Sequence, residues 1–235
     1  MSPRGAGRGA RYRALLLDFY GTLVEEDTEL IARIVQRVAA SSPLAPPAAD
    51  VGARWSRRFS ELCAQSHGSR FETQRALERA SLEELLASYR SPLDADELSA
   101  ELFAYWAAPK PIDGAAEFLS GLRVSACVVS NIDADDLAAA IAKLGWALPE
   151  RVTSEGCRAY KPRREPFESA LARLGCAPED VLHVGDSLGS DVRGAAALGI
   201  PVAWVNPRGK SLPADLGARP SHVVARVSEL LAVIL

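Results

Sequence analysis

The rhythm of apolar and polar positions changes twice along the chain. A short apolar run, Ala14 to Leu17, ends in Asp18, the pattern of a buried strand. From Glu26 to about Ala108 the apolar residues recur at helical spacing. Leu30, Ile31, Ile34, Val35 and Val38 form one stripe, and Leu77, Leu82, Leu85 and Leu86 another. Breaks at Ser42-Pro43 with Pro46-Pro47, at Gly68 and at Ser91-Pro92 divide this stretch into roughly four helices with no strand.

From Pro109 onward strands and helices alternate. Strands are predicted over 124–130, 151–154, 181–184, 202–205 and 222–224, and helices over 115–122, 134–144, 165–174, 191–198 and 228–235. Gly145 and Gly175 sit where helix C-caps belong. The alternation implies a parallel sheet covered on both faces and joined by right-handed crossovers. The predicted fold is α/β: a Rossmann-like parallel sheet flanked by helices, with an all-helical cap inserted after the first strand. Residues 1–24 and 109–235 make the core, and 25–108 the cap. Pro109-Lys110-Pro111 stiffen the return.

Charge and cysteine content narrow the partners. With 27 basic and 30 acidic residues the net charge is −3, which argues against a nucleic-acid partner. The cysteines, Cys63, Cys127, Cys157 and Cys176, form no CxxC pair and no zinc-site spacing, as expected in a reducing cytoplasm. The longest apolar run, Ala195 to Val205, is too short to span a membrane and holds Gly199 and Pro201. Arg4, Arg8, Arg11 and Arg13 resemble the start of a signal peptide, but the apolar stretch that follows is too short for one. The first ten or so residues read as a frayed tail, with a phosphate-binding arm as the alternative. The expectation is a cytoplasmic monomer or dimer with no membrane or nucleic-acid partner.

The chemistry gathers at strand ends, where ligands bind in such sheets. The first strand ends at Asp18, followed by Phe19-Tyr20-Gly21-Thr22-Leu23. Another ends at Ser130-Asn131-Ile132-Asp133, and a third at Gly185-Asp186-Ser187-Leu188-Gly189-Ser190-Asp191. Lys161 precedes Pro162 ahead of a helix. Asp18, Asp186 and Asp191 would repel one another; a divalent cation relieves this, and carboxylates suit Mg²⁺. Lys161 can pair with the acids and with a phosphate. Gly21 allows the sharp turn that brings amides near a ligand. An aspartate beside a metal can attack phosphorus to form an aspartyl-phosphate.

These four segments, in this order and spacing, resemble the four motifs of the haloacid dehalogenase-like (HAD) hydrolases, and the helical stretch resembles that family's C1-type cap, as in its subfamily I. The resemblance spans Asp18 to Asp191. It implies that Asp18 is the nucleophile and a metal ligand, with the Tyr20 carbonyl and Asp186 as further ligands. Asp191 supports the metal through water or Lys161. Ser130 and the Asn131 amide hold the transferring group, Lys161 neutralises charge, Gly21 shapes the substrate side of the loop and Thr22 ties it together. The implied substrate is a small phosphorylated metabolite.

One position departs from the family's phosphatases. Most of them carry a second aspartate two residues after the nucleophile, as general acid and then base. Here that residue is Tyr20, and loss of a general acid lowers rates by about 10²–10⁴-fold. A tyrosine there is characteristic of the family's metal-independent 2-haloacid dehalogenases, whose fourth motif resembles Ser-x-Asn-x-x-Asp. This chain keeps Gly185-Asp186 and Asp191, the metal-binding version. The expected function is therefore a Mg²⁺-dependent phosphatase with an altered general acid. Its substrate would have a good leaving group, such as an acyl or anomeric phosphate, or Tyr20 or a cap residue would donate the proton. The alternatives are a metal-independent 2-haloacid dehalogenase and a catalytically weak relative with a binding role.

Other residues have plainer readings. Glu25, Glu26 and Asp27 are proton-donor candidates by proximity alone, and otherwise the solvated start of the first cap helix. Arg54, Arg57, Arg58, His67 and Arg70 offer cations on the cap, most of them simply solvated. His183 and His222 read as structural, and Trp55, Trp106, Trp146 and Trp204 as packing or cap-interface residues.

Overall fold

The computed structural model describes residues 11–148 and 150–234. The expected frayed tail over the first ten residues lies outside them. Six parallel strands form one sheet in the order β3-β2-β1-β4-β5-β6. They are β1 (Ala14–Leu17), β2 (Ser125–Ser130), β3 (Glu150–Thr153), β4 (Val181–Gly185), β5 (Val202–Val205) and β6 (His222–Val224). The fold is α/β, a Rossmann-like sheet flanked by helices.

Both faces of the sheet are buried, which explains the continuous apolar runs of β1 and β4. Leu15 and Leu17 face one side, Ala14 and Leu16 the other, as strand alternation requires. The first face packs on α5 (Ala115–Gly121), α6 (Ala134–Leu144) and α10 (Leu231–Ile234) through Phe118, Ile141 and Ile234. The second packs on α8 (Arg164–Leu174) through Phe167 and Leu171. Gly145 and Gly175 end α6 and α8 in the left-handed conformation, at φ +68° and +59°.

Between β1 and β2 lie α1 (Thr28–Ser41), α2 (Ala48–Gln65), α3 (Gln74–Tyr89) and α4 (Ala95–Ala107). Their apolar faces extend the first core cluster through Phe19, Leu23 and Val24 into Leu30, Ile34, Leu82, Leu98 and Leu102. The outgoing and returning chains run side by side, with Glu25 N–H on the Lys110 carbonyl at 2.8 Å and Ile112 N–H on that of Leu23 at 3.0 Å. No described helix is long and apolar enough to cross a membrane.

Two local expectations shift. A short helix, α7 (Ser154–Cys157), follows β3 directly. The helix predicted over 191–198 starts earlier, as a wide π-type turn over Leu188–Arg193 continued by α9 (Gly194–Ala196). Val192 N–H reaches back five residues to the Ser187 carbonyl, at 3.1 Å. The wide turn accompanies an inward Asp191 side chain that accepts the Ser187 amide at 3.0 Å.

Candidate active site

The strand order reverses between β1 and β4, and the crevice beyond their carboxyl ends is the usual ligand site of an open α/β sheet. Asp18 follows β1 and Asp186 follows β4. Asp18 N–H bonds the Val184 carbonyl at 2.9 Å, which extends the strand pairing to the first acid. Gly21, at φ +83°, turns the chain back under Asp186; a Cβ on it would stand 2.7 Å from Asp186 Oδ1. A Cβ on Gly185 would stand 2.3 Å from Asp191 Cγ. Both glycines are required by side chains of the fourth segment.

Lys161 is 4% exposed, and its Nζ donates to Asp18 Oδ1 at 2.6 Å and to Asp191 Oδ1 at 2.7 Å. Thr22 Oγ1 donates to Asp18 Oδ2 at 3.1 Å. Lys161 is itself held by Asn131, whose Oδ1 accepts the Lys161 N–H at 2.7 Å and whose Nδ2 donates to the Lys161 carbonyl at 3.0 Å. The Asn131 side chain is therefore spent on the lysine loop. The buried Ser130 hydroxyl has no hydrogen-bond partner among the described residues and lines the same cavity. That cavity, about 240 Å³, is also lined by Asp18, Tyr20, Asp27, Gln74, Lys161 and Asp186. A second cavity of about 480 Å³ opens beyond Glu26, Asp27 and Asp186 and carries Arg33, Lys110, Arg208 and Lys210.

The charges are unequally matched. Burial works against the Asp191 anion, but Lys161 and His183 outweigh it and hold its pKa below the usual carboxylate range. Burial also works against the Lys161 cation, and Asp18 and Asp191 outweigh it, so its pKa rises. Asp18 is raised to about 6, because burial and the nearby Asp191 exceed the help of Lys161. Asp186 is raised to about 8, by burial first and then by Asp18 and Asp191. Its carboxylate has no hydrogen bond or ion pair among the described residues, while oxygens of Asp18, Asp186 and Asp191 lie within 4.8 Å of one another. One ammonium serves three acids and touches two. An oxygen-rich corner with three acids to one ammonium, one of those acids unpartnered, fits a hard divalent cation such as Mg²⁺.

Tyr20 lines the cavity, but its hydroxyl donates to the Trp106 carbonyl of α4 at 2.5 Å. Burial, with the charges of Asp136 and Asp27, pushes the phenol pKa up. The phenolic hydrogen is thus committed to the insert. Three residues read as structural or packing prove to touch the site. His183 Nε2 lies 2.9 Å from Asp191 Oδ1; the carboxylate only accepts, so Nε2 carries the hydrogen. Trp204 Nε1 donates to the Asp186 carbonyl at 2.9 Å, and Trp106 Nε1 to Asp27 Oδ2 at 2.8 Å. The available signal for His183 was a polar residue inside an otherwise apolar buried strand. The two tryptophans had none that set them apart from Trp55 and Trp146. Of the cap cations, Arg54, Arg57 and Arg58 lie on a separate surface depression with Glu61 and Glu84, away from Asp18.

Comparisons with known proteins identify the family. Residues 12–199 match the family model described as haloacid dehalogenase-like hydrolase. Pyrophosphatase PpaX of Bacillus velezensis is 24% identical over 230 residues, covering 95% of this chain and 96% of its own. (S)-2-haloacid dehalogenase H-109 of Pseudomonas putida is 31% identical over 87 residues, 37% of this chain and 38% of its own. The solved L-2-haloacid dehalogenase of Xanthobacter autotrophicus superposes with a TM-score of 0.72 at 23% identity, covering 95% of this chain and 98% of its own. With the family model spanning most of the chain, and the four motifs meeting at one sheet edge, the protein belongs to the haloacid dehalogenase-like hydrolases.

Proposed function

We propose that the protein is a Mg²⁺-dependent phosphatase that acts on a small phosphorylated metabolite through an aspartyl-phosphate on Asp18. The observation that carries this reading is the unpartnered Asp186 carboxylate beside Asp18 and Asp191. Without a cation, that third acid raises the energy of the folded state for no structural return. The side chains of Asp18 and Asp186 with the Tyr20 carbonyl would hold Mg²⁺, and Asp191 would support it. When bound, the ion neutralises the acids and the phosphoryl oxygens, which lets an anionic nucleophile approach an anionic substrate.

The rest falls to the chain. Lys161 and Thr22 fix the two oxygens of Asp18, and Lys161 favours its anionic, nucleophilic form. Ser130 and Asn131 line the cavity, and the Ser130 hydroxyl and the Asn131 amide would donate to phosphoryl oxygens there. The larger adjoining cavity has room for the remainder of a metabolite.

The test is phosphate release from a panel of alkyl esters, anomeric phosphates and acyl phosphates. We expect release that is lost with EDTA and in Asp18→Asn. Absence of release from every substrate would overturn the reading. Tyr20 and the local similarity to a haloacid dehalogenase favour a second reading, metal-independent dehalogenation. Against it, Lys161, the single cation among the described residues that line the inner cavity, is already engaged by two aspartates and is poorly placed to capture a 2-haloacid carboxylate. Halide release unaffected by EDTA would establish it. Oligomeric state and cellular location carry no weight in either reading.

A further inference from the structure

Tyr20 leaves the proposed phosphatase without the aspartate that would protonate the leaving group. We propose that Asp27 takes that role, acting as acid and then base from the foot of the helical insert. The inference rests on the phosphatase reading above.

Asp27 occupies the N-cap position of α1, where an aspartate ordinarily turns back to accept an amide of its own helix. Its carboxylate makes no such bond. It accepts the Trp106 indole N–H on Oδ2 at 2.8 Å and lines the cavity that also holds Asp18, Ser130 and Lys161. No other described residue hydrogen-bonds Oδ1, which leaves one oxygen to carry and deliver a proton. Burial disfavours the anion, and the charge of Glu26 adds to this against the indole N–H, so the pKa stands above the usual aspartate value.

The neighbouring candidates are placed less well. The Tyr20 hydroxyl gives its hydrogen to the Trp106 carbonyl. Glu26 lines the same cavity but is exposed, and its Oε2 takes a long bond from the Thr28 hydroxyl at 3.4 Å. Glu25 lines only the outer cavity. Gln74 carries no ionisable proton. Trp106 is 3% exposed and ties the arrangement together: its carbonyl receives Tyr20 from the nucleophile loop, and its indole grips Asp27. Tyr20 thus bonds the backbone of the residue whose indole holds Asp27.

The chemistry balances without a further reactant. Asp18 forms a bond to phosphorus, the bond from phosphorus to the leaving oxygen breaks, and that oxygen takes the Asp27 proton. Asp27, now anionic, accepts a proton from water as the water oxygen attacks phosphorus. The bond to Asp18 breaks, phosphate leaves, and Asp27 is again an acid.

The test compares Asp27→Asn with the full-length parent on p-nitrophenyl phosphate and on glycerol phosphate, with Mg²⁺. Nitrophenolate needs no proton to leave, whereas an alkoxide does. We expect the variant to release a stoichiometric burst of nitrophenolate and then stall as the phosphoenzyme, identified as a phosphoryl adduct on Asp18 by mass spectrometry. With glycerol phosphate it should form no adduct, and steady-state turnover of both substrates should fall by about 10²–10⁴-fold. Turnover of glycerol phosphate within a few-fold of the parent overturns the proposal. So does equal loss of burst and turnover on both substrates, which would mark Asp27 as structural. Release by the parent from acyl phosphates alone overturns the proposal and leaves the phosphatase reading standing; no release from any substrate of the panel removes both.

Discussion

Asp191 and Asp133 are both buried aspartates near the cavity, and they are held in different ways. Asp191, at the sheet edge, is 1% exposed and meets the Lys161 ammonium, the His183 imidazole and one backbone amide. Asp133, at the seam between core and insert, is 6% exposed and meets two amides at the start of α3: Gln74 N–H at 2.8 Å and Arg75 N–H at 3.0 Å. Burial opposes both anions. At the sheet edge a full positive charge overrides it, and the Asp191 pKa falls. At the seam, amide dipoles do not, and the Asp133 pKa rises. The sheet edge is a charge balance that is costly to disturb. The seam holds separate bonds, most of them neutral or mixed, including Tyr160 Oη to the Glu72 carbonyl at 2.9 Å and Tyr105 Oη to the Glu25 and Glu26 carbonyls at 3.1 Å, beside one ion pair, Arg75 with Asp136. Such a difference suits a rigid reacting centre under an element that can move.

The contrast is sharpest at Lys161. Replacing it with Met keeps most of its volume and leaves Asp18 and Asp191 buried without their cation. Breaking a buried pair in this way costs about 3–5 kcal/mol. We expect Lys161→Met to lose that much stability at pH 7 in urea unfolding without metal, and less at low pH, where the acids protonate. A loss below about 1 kcal/mol would place this pair with ordinary surface ion pairs.

Asp186 gives the next effect. An aspartate whose pKa in the folded state lies above its unfolded value favours folding only while protonated. Its contribution is whole below pH 3.8 and is lost as pH rises to about 8; that of Asp18 is lost by about 6. The metal-free protein should therefore lose stability in two stages. Asp186→Asn should flatten the stage from pH 6 to 8, over which the parent alone loses about 2 kcal/mol. Mg²⁺ should flatten the same stage in the parent. A parent curve that is level between pH 6 and 8 without metal would show that Asp186 is already compensated.

Much of this was legible because it is local. β1 and β4 read as strands because both faces are buried, and Gly145 and Gly175 read as helix ends because only a left-handed residue closes them that way. The four motif segments could be placed because each lies at a strand end or just ahead of a helix. What escaped was set by contacts distant in sequence. Asp27 and Asp133 both stand at N-cap positions, and local rules point each carboxylate at its own helix. In the fold neither caps its helix: one meets Trp106 and the other α3. The bond that commits Tyr20 joins residues 86 apart. The wide turn at Leu188–Arg193 follows from an Asp191 side chain drawn inward by partners on other elements.

The smallest expected effect tests the seam itself. Asp133→Ala removes the acceptor from two amides at the start of α3, and Thr73, which accepts the next amide from Ala76 at 3.3 Å, remains. The loss should be that of an N-terminal cap, about 1 kcal/mol. The Asp133 pKa is raised in the fold, so its contribution shrinks rather than grows as pH rises, and the variant's deficit should be smaller at pH 8 than at pH 4. The change should also stay local. Hydrogen exchange should quicken at the Gln74 and Arg75 amides and leave β4 unchanged, because the Arg75 pair with Asp136 and the sheet-edge bonds do not pass through Asp133. A loss as large as that of Lys161→Met, or faster exchange along β4, would mean that seam and sheet edge open as one unit and that their separation is not real.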